Sequence, residues 1–427
     1  MRLSARALAL AVALAPSFTS VVAYPEAPTA NVIPGQYIVQ LKEDADNATW
    51  AAHHQTVRTI RARQEGRQEV VDDHASMHKQ FDIGGFKGYS GSFDASMVAE
   101  LKALPEVEDV HPDVLMYPQT MVRRKYQSEI SELFFFSLQK LTNLNLENNA
   151  QWGLCSISIF RKRVVTTYLY DDSAGEGTYT YILDSGIRTS HVEFEGRARW
   201  GTNVVDQTQE DVLGHGTFLA GVVGSKTYGV AKKTNLISVK VIDHNGLSPW
   251  SIQLRGLNWA VNDILHNRRT AIAVILLAIS GPANKGVDLM IKKIESLGIL
   301  VVTSAGNGHG HADRTSPCRS PAGICVGAHD EEDFRLPASN FGPEVDIWAP
   351  GHDVWSTSNK GDDQIEMQEG TSISAAFVAG LACYFRSMLG PMEAVDTKRR
   401  VLNSASSWLL KNIWTSRNQR AYNGCGR

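Results

Sequence analysis

From about Ala150 onward, short apolar runs alternate with helical segments and glycine-rich turns, and this alternation constrains the fold more than any other feature of the chain. Tyr179–Leu183, Leu236–Ile242, Ala271–Ile279, Ile299–Thr303 and Gly323–Ala328 have strand length and little polar relief. A strand with no polar face must be covered on both sides. Ser251–His266, Val287–Leu297 and Ser372–Leu389 have the spacing of the helices that would cover it. Residues 149–427 are therefore expected to fold as a three-layer α/β/α sandwich with a mainly parallel sheet.

The chain ahead of this region divides further. Arg2 and Arg6, the short apolar run Ala7–Pro16 and the small residues Val21-Val22-Ala23 read as a signal peptide over residues 1–23. A secreted product is the corresponding expectation. Residues 24–33 are rich in Pro and Ala and read as a linker. Residues 34–118 show the order β-α-β-β-α-β, with Val107–Val110 as the last strand, which predicts a small ferredoxin-like α+β domain. Its Asn47-Ala48-Thr49 is a glycosylation sequon. Residues 119–148 read as a linker or processing region, with a basic run Arg123-Arg124-Lys125 and an apolar run Leu133–Phe136. A net charge of -3 gives no case for nucleic acid or an anionic membrane. No partner of either kind is expected, and a monomer is.

Four local motifs carry chemistry. Asp184 directly follows the apolar strand Tyr179–Leu183, at the sheet end where α/β proteins place functional groups. His215 lies in Gly214-His-Gly-Thr-Phe-Leu-Ala-Gly221, where flanking glycines allow close approach of chain segments. Asn307 lies in Ser304-Ala-Gly-Asn-Gly308 and offers a side-chain amide donor. Ser372 opens the small-residue helix beginning Gly370-Thr-Ser-Ile-Ser-Ala-Ala. Each alone is a common turn or core helix. Together they supply a nucleophile (Ser372), a base (His215), a carboxylate to orient the base (Asp184) and an oxyanion donor (Asn307). No cofactor is needed for such chemistry.

With these motifs in the order Asp, His, Asn, Ser, the chain resembles the subtilisin superfamily of serine peptidases, and within it the proteinase K-like secreted fungal group. Gln151-Trp-Gly-Leu154, His191-Val-Glu-Phe-Glu-Gly-Arg197 and Tyr228-Gly-Val-Ala-Lys-Lys233 carry the likeness over residues 151–422. Tyr37-Ile-Val39 and Phe86-Lys-Gly-Tyr89 carry it over an inhibitor-type propeptide. The resemblance implies a secreted serine endopeptidase made as an autoprocessed zymogen, with protein or peptide substrates and its own propeptide as inhibitor and folding aid. A secreted pseudoprotease that binds peptides without turnover is the alternative. The resemblance places substrate on Ala278, Ile279, Ser280, Gly281, Ser304, Ala305, Gly306, Gly246 and Ser248, with an apolar or aromatic residue at the cut. It also implies calcium at Asp346 with carbonyls near Ala322 and Ile324, although an ordinary buried ion pair is equally open there. Cys318 and Cys325 are close enough in sequence to pair. The chain departs from the family at Phe218 and Ala375-Ala376-Phe377, where histidine and Thr-Pro-His are usual, and at Ser280 and Pro249, which bear on substrate binding.

Overall fold

The computed structural model describes residues 32–64, 77–122, 144–159 and 166–425. The expected signal peptide and the runs Arg123–Lys125 and Leu133–Phe136 lie outside them. Residues 32–118 form β1 (Val32–Leu41), α1 (Asn47–Gln64), β2 (Met77–Ile83), β3 (Phe86–Ser92), α2 (Ala95–Ala103) and β4 (Val107–Pro118). The sheet order is β4-β1-β3-β2, and all three pairings are antiparallel. This is the predicted α+β unit, with two differences. Its first strand starts inside the expected linker, at Val32. Its last strand was expected to end near Val110 but runs on to Pro118. The extension has a partner: β4 leaves its own sheet and pairs with Ser248–Pro249 and Ile279–Pro282 of the second domain.

The second domain is built on a nine-stranded sheet. Its spatial order is Ser406–Ser407, Gln419–Arg420, Ile347–Pro350, Ile324–His329, Leu300–Ser304, Ala273–Leu277, Tyr179–Asp184, Asn235–Lys240, Ala198–Asn203. Every neighbouring pair is parallel except the edge pair of Ser406–Ser407 with Gln419–Arg420. Helices His215–Gly224 and Thr371–Leu389 pack on one face through Leu219, Val222, Val223, Val378 and Leu381. Helices Trp250–His266 and Lys285–Ser296 pack on the other through Leu254, Leu257, Val261, Val287 and Ile291. The helix Thr371–Leu389 is apolar and long enough to span a bilayer by composition alone, but it is buried in this core. Leu144–Asn148, expected as linker, pairs antiparallel with Thr167–Asp171 and so belongs to this domain.

The two domains share one apolar cluster. Phe81, Ile83, Phe86, Val114 and Met116 of the first pack with Trp250 and Leu254 of the second. A polar contact aligns them. Helix Trp250–His266 begins after Pro249, which supplies no side-chain cap. The buried Asp113 carboxylate accepts from the Ser251 N–H at 3.1 Å and fills that role from the other domain.

Candidate active site

Asp184 ends its strand, and His215 is the first residue of the helix His215–Gly224. His215 Nδ1 lies 2.8 Å from both Asp184 carboxylate oxygens. The approach depends on Gly216. A Cβ there would stand 2.1 Å from the Gly186 carbonyl oxygen and 3.1 Å from Asp184 Cβ. The flanking glycine noted in the sequence thus has a steric cause.

A second carboxylate, missed in the sequence, holds this pair. Asp211 Oδ1 accepts from Ser185 Oγ at 2.7 Å and from Gly214 N at 2.8 Å; Oδ2 accepts from Thr217 N at 2.8 Å and Thr217 Oγ1 at 2.6 Å. These bonds tie the first turn of the His215 helix to the loop after Asp184. Burial pushes the Asp211 carboxyl above its ordinary range. Only its position four residues before His215 hinted at a role, and no local pattern separates it from a loop aspartate.

Ser372 stands in the first turn of Thr371–Leu389, fully buried. The tail of the first domain runs directly over it. Ile279 pairs with Pro118, Ser280 with Tyr117, Ser248 with Met116 and Pro249 with Leu115. The tail is thus the central strand between two short edges. Pro249 lacks an N–H for this ladder, but it is the last residue of a two-residue strand and the helix starts immediately after it. Ser280, the other departure that bears on substrate binding, lies within the ladder without breaking it. Gly281 faces Met116: a Cβ on it would meet Met116 Cγ at 2.9 Å. Ser304 and Ala305 are buried at the end of their strand, and Gly306 follows with a φ of +100°. Gly246 sits in a turn beside Leu213.

The peptide bond Gln119–Thr120 falls among the four candidate residues. The Ser372 N–H donates to the Gln119 carbonyl at 3.0 Å. The Gln119 N–H donates to Ser372 Oγ at 2.9 Å, and that hydroxyl donates to the Ala278 carbonyl at 2.8 Å. His215 Nε2 is 2.7 Å from Thr120 Oγ1. Asn307 Oδ1 accepts from Thr371 N at 3.1 Å, which fixes its amide. Gly370 has a φ of +136°, and a Cβ on it would lie 2.5 Å from the Gln119 carbonyl oxygen and 2.8 Å from Asn307 Nδ2. That residue must be glycine for an amide donor and a carbonyl oxygen to share the space. The side chain of Gln119 is polar and is held at both ends. Its Oε1 accepts from Asn307 N and its Nε2 donates to the Tyr117 carbonyl, both at 2.9 Å. Beyond the bond, Met121–Val122 forms β5 and pairs antiparallel with Ile365–Glu369.

Phe218 and Phe377, where the family usually carries histidine, are fully buried in the apolar core with Ala375 and Ala376. Such an interior needs no polar partner there. Cys318 and Cys325 form a disulfide, while Cys155, Cys383 and Cys425 are free and buried.

Asp346 does not offer a calcium shell. Its Oδ2 accepts from Cys325 N at 3.1 Å and from Lys398 Nζ at 3.2 Å. The same ammonium donates to the Pro321 carbonyl at 3.2 Å and the Gly323 carbonyl at 2.5 Å. Carboxylate and carbonyl oxygens of the kind calcium requires are thus taken up by a tethered cation, and the residues present do not fit the metal. Chelation is therefore expected to leave the melting temperature unchanged. Lys398→Ala should lower it in calcium-free buffer and make it rise on addition of calcium. Calorimetry with and without EDTA checks both arms, and an EDTA-sensitive wild type would contradict this account.

Comparison with known proteins gives the same picture. Residues 175–426 match the subtilase family, and residues 36–119 match peptidase inhibitor I9. The chain is 35% identical to a subtilisin-like protease of Coccidioides posadasii over 402 residues, covering 93% of each chain. It is 35% identical to alkaline protease 1 of Aspergillus clavatus over 421 residues, covering 98% of each. Subtilisin-like protease 2 of Trichophyton equinum is 37% identical over 404 residues, 92% of this chain and 90% of that one. Among solved structures, a cold adapted subtilisin-like serine proteinase superposes with a TM-score of 0.61 at 28% identity, over 65% of this chain and 99% of that chain. A peptidase domain preceded by an inhibitor domain, matched over nearly the whole chain at these identities, makes this protein a member of the subtilase family of serine peptidases.

Proposed function

We propose that this peptidase is a secreted endopeptidase that first cuts its own chain between Gln119 and Thr120, and that Ser372, His215, Asp184 and Asn307 carry out the reaction. One observation carries the reading: the Gln119 carbonyl accepts from the Ser372 N–H while the flanking residues contact Ser372 Oγ and His215 Nε2. The signal-like N-terminus supports secretion.

In the proposed reaction the Ser372 hydroxyl turns from the Ala278 carbonyl to His215 Nε2 and displaces the Thr120 hydroxyl there. His215 takes the proton as Oγ attacks the Gln119 carbonyl carbon. Asp184 holds Nδ1–H and stabilises the imidazolium. The oxyanion is stabilised by the Ser372 N–H and Asn307 Nδ2. His215 then protonates the Thr120 amine, the C–N bond breaks, and the acyl-enzyme on Ser372 remains for water to hydrolyse. The released domain keeps its strand pairing and its Asp113 cap, and so remains in the cleft as an inhibitor.

The experiment is intact mass analysis of the first domain after maturation. Its C-terminus is expected at Gln119, wherever later trimming sets the N-terminus of the mature peptidase. A fragment ending elsewhere in residues 112–122 would reject this cut, and a chain that is active while still covalently whole would reject the zymogen reading.

A further inference from the structure

The leaving side of the cleft carries a concentration of negative charge that the hydrolytic reaction does not use. Glu369, immediately before Gly370, is only 3% exposed. Its Oε2 lies 3.5 Å from His352 Nε2. Asp353 Oδ1 lies 3.9 Å from the same nitrogen. On the far side of the ring, His352 Nδ1 is 3.1 Å from Glu331 Oε2. Three carboxylates thus surround one imidazole.

The register of the strands says what passes over this group. Met121 pairs with Glu369, and Val122 pairs with Gln368. Met121 is the second residue after the Gln119–Thr120 bond. Side chains on a strand alternate with a period of two. Any peptide lying along Ile365–Glu369 in this register therefore presents its second and fourth residues after the cut on the face of Glu369. The second is directly opposite, and the fourth is a diagonal neighbour at about 7–8 Å, within reach of a long side chain. In the sequence the fourth residue after the bond is Arg123, the first of Arg123-Arg124-Lys125, which lies outside the described residues.

We infer that Glu369, Asp353, Glu331 and His352 form an acidic subsite that selects peptides with a basic residue at the second or fourth position after the scissile bond. The inference rests on the proposed reading of the cleft and of the cut at Gln119–Thr120. An arginine there meets a buried carboxylate and can bond to it in two-pronged fashion, whereas a glutamate meets like charge in a poorly hydrated place. The chain's own basic run would make its processing site a favoured substrate, and the same preference would pass to the mature enzyme.

Internally quenched peptides spanning residues 113–125 test this, with the second or fourth residue after the cut set to arginine, glutamine or glutamate. At low ionic strength the wild-type enzyme is expected to give kcat/KM at least about tenfold higher for arginine than for glutamate at one of these positions, since charge pairs desolvated at an interface discriminate by that much or more. The ratio should shrink with added salt and collapse in Glu369→Gln and in Asp353→Asn. A chromogenic substrate with no amino acid on the leaving side separates the two layers of the argument. If the enzyme cleaves it but treats arginine and glutamate peptides alike, the subsite is refuted and the peptidase reading stands. If it cleaves none of these substrates, the reading of the cleft itself fails. Discrimination retained in both variants would also overturn the assignment. So would stoichiometric zinc binding by calorimetry that is lost in His352→Ala and accompanied by no preference for arginine, because the cluster would then be a metal site.

Discussion

Ser372→Ala is expected to give a folded single chain whose first domain never separates and whose turnover falls by about a millionfold. That magnitude was measured in subtilisin, so it is a value borrowed from the family. The variant removes one oxygen from a position where Oγ accepts from Gln119 N and donates to the Ala278 carbonyl. The Ser372 N–H and its bond to the Gln119 carbonyl remain, so the tail should stay bound. The same variant should lose labelling by a fluorophosphonate probe, because maturation and labelling need the same oxygen. His215→Ala should be nearly as damaging, since members of such a unit do not contribute additively. Gel analysis and intact mass give the processing state, and the probe gives the nucleophile. A purified Ser372→Ala protein that still separates its first domain would refute the assignment. A wild-type protein that separates no domain and takes no probe would instead be the peptide-binding pseudoprotease.

Asn307→Ala is expected to lower kcat by about a hundredfold to a thousandfold with little change in KM, the range for loss of one oxyanion donor. That range also comes from subtilisin. The argument is geometric. Asn307 Nδ2 and the Gln119 carbonyl oxygen flank the same point in space, the place a Cβ on Gly370 would fill. The bond from Thr371 N to Asn307 Oδ1 holds the amide in that orientation before charge develops. Asn307→Asp keeps that acceptor and removes the donor, so it should be at least as slow. An unchanged kcat in both variants would move the oxyanion to other donors. Thermal denaturation alongside kinetics separates this effect from loss of the Thr371 contact.

The local sequence determined much of this protein. Strand-length apolar runs require cover on both faces, which fixes a parallel sheet between two helical layers. The residues at strand ends and helix starts were legible for the same reason: Asp184 ends its run, and His215 and Ser372 each begin a helix. Gly216 and Gly370 were visible as glycines, but the atoms they make room for were not. The pairings of β4 with Ser248–Pro249 and Ile279–Pro282 could not be read, because register between segments more than 100 residues apart depends on tertiary contacts and leaves no local period. For that reason β4 was cut short at Val110, and the Gln119–Thr120 bond was seen only as the edge of a linker. Asp211, the Asp113 cap and the group around His352 were hidden likewise, since each side chain draws its role from partners remote in sequence. The Asp346 position shows the limit most directly. The sequence left calcium and an ion pair equally open, and only tertiary structure brings Lys398 from 52 residues away onto these oxygens, for which an ammonium and a metal ion would compete.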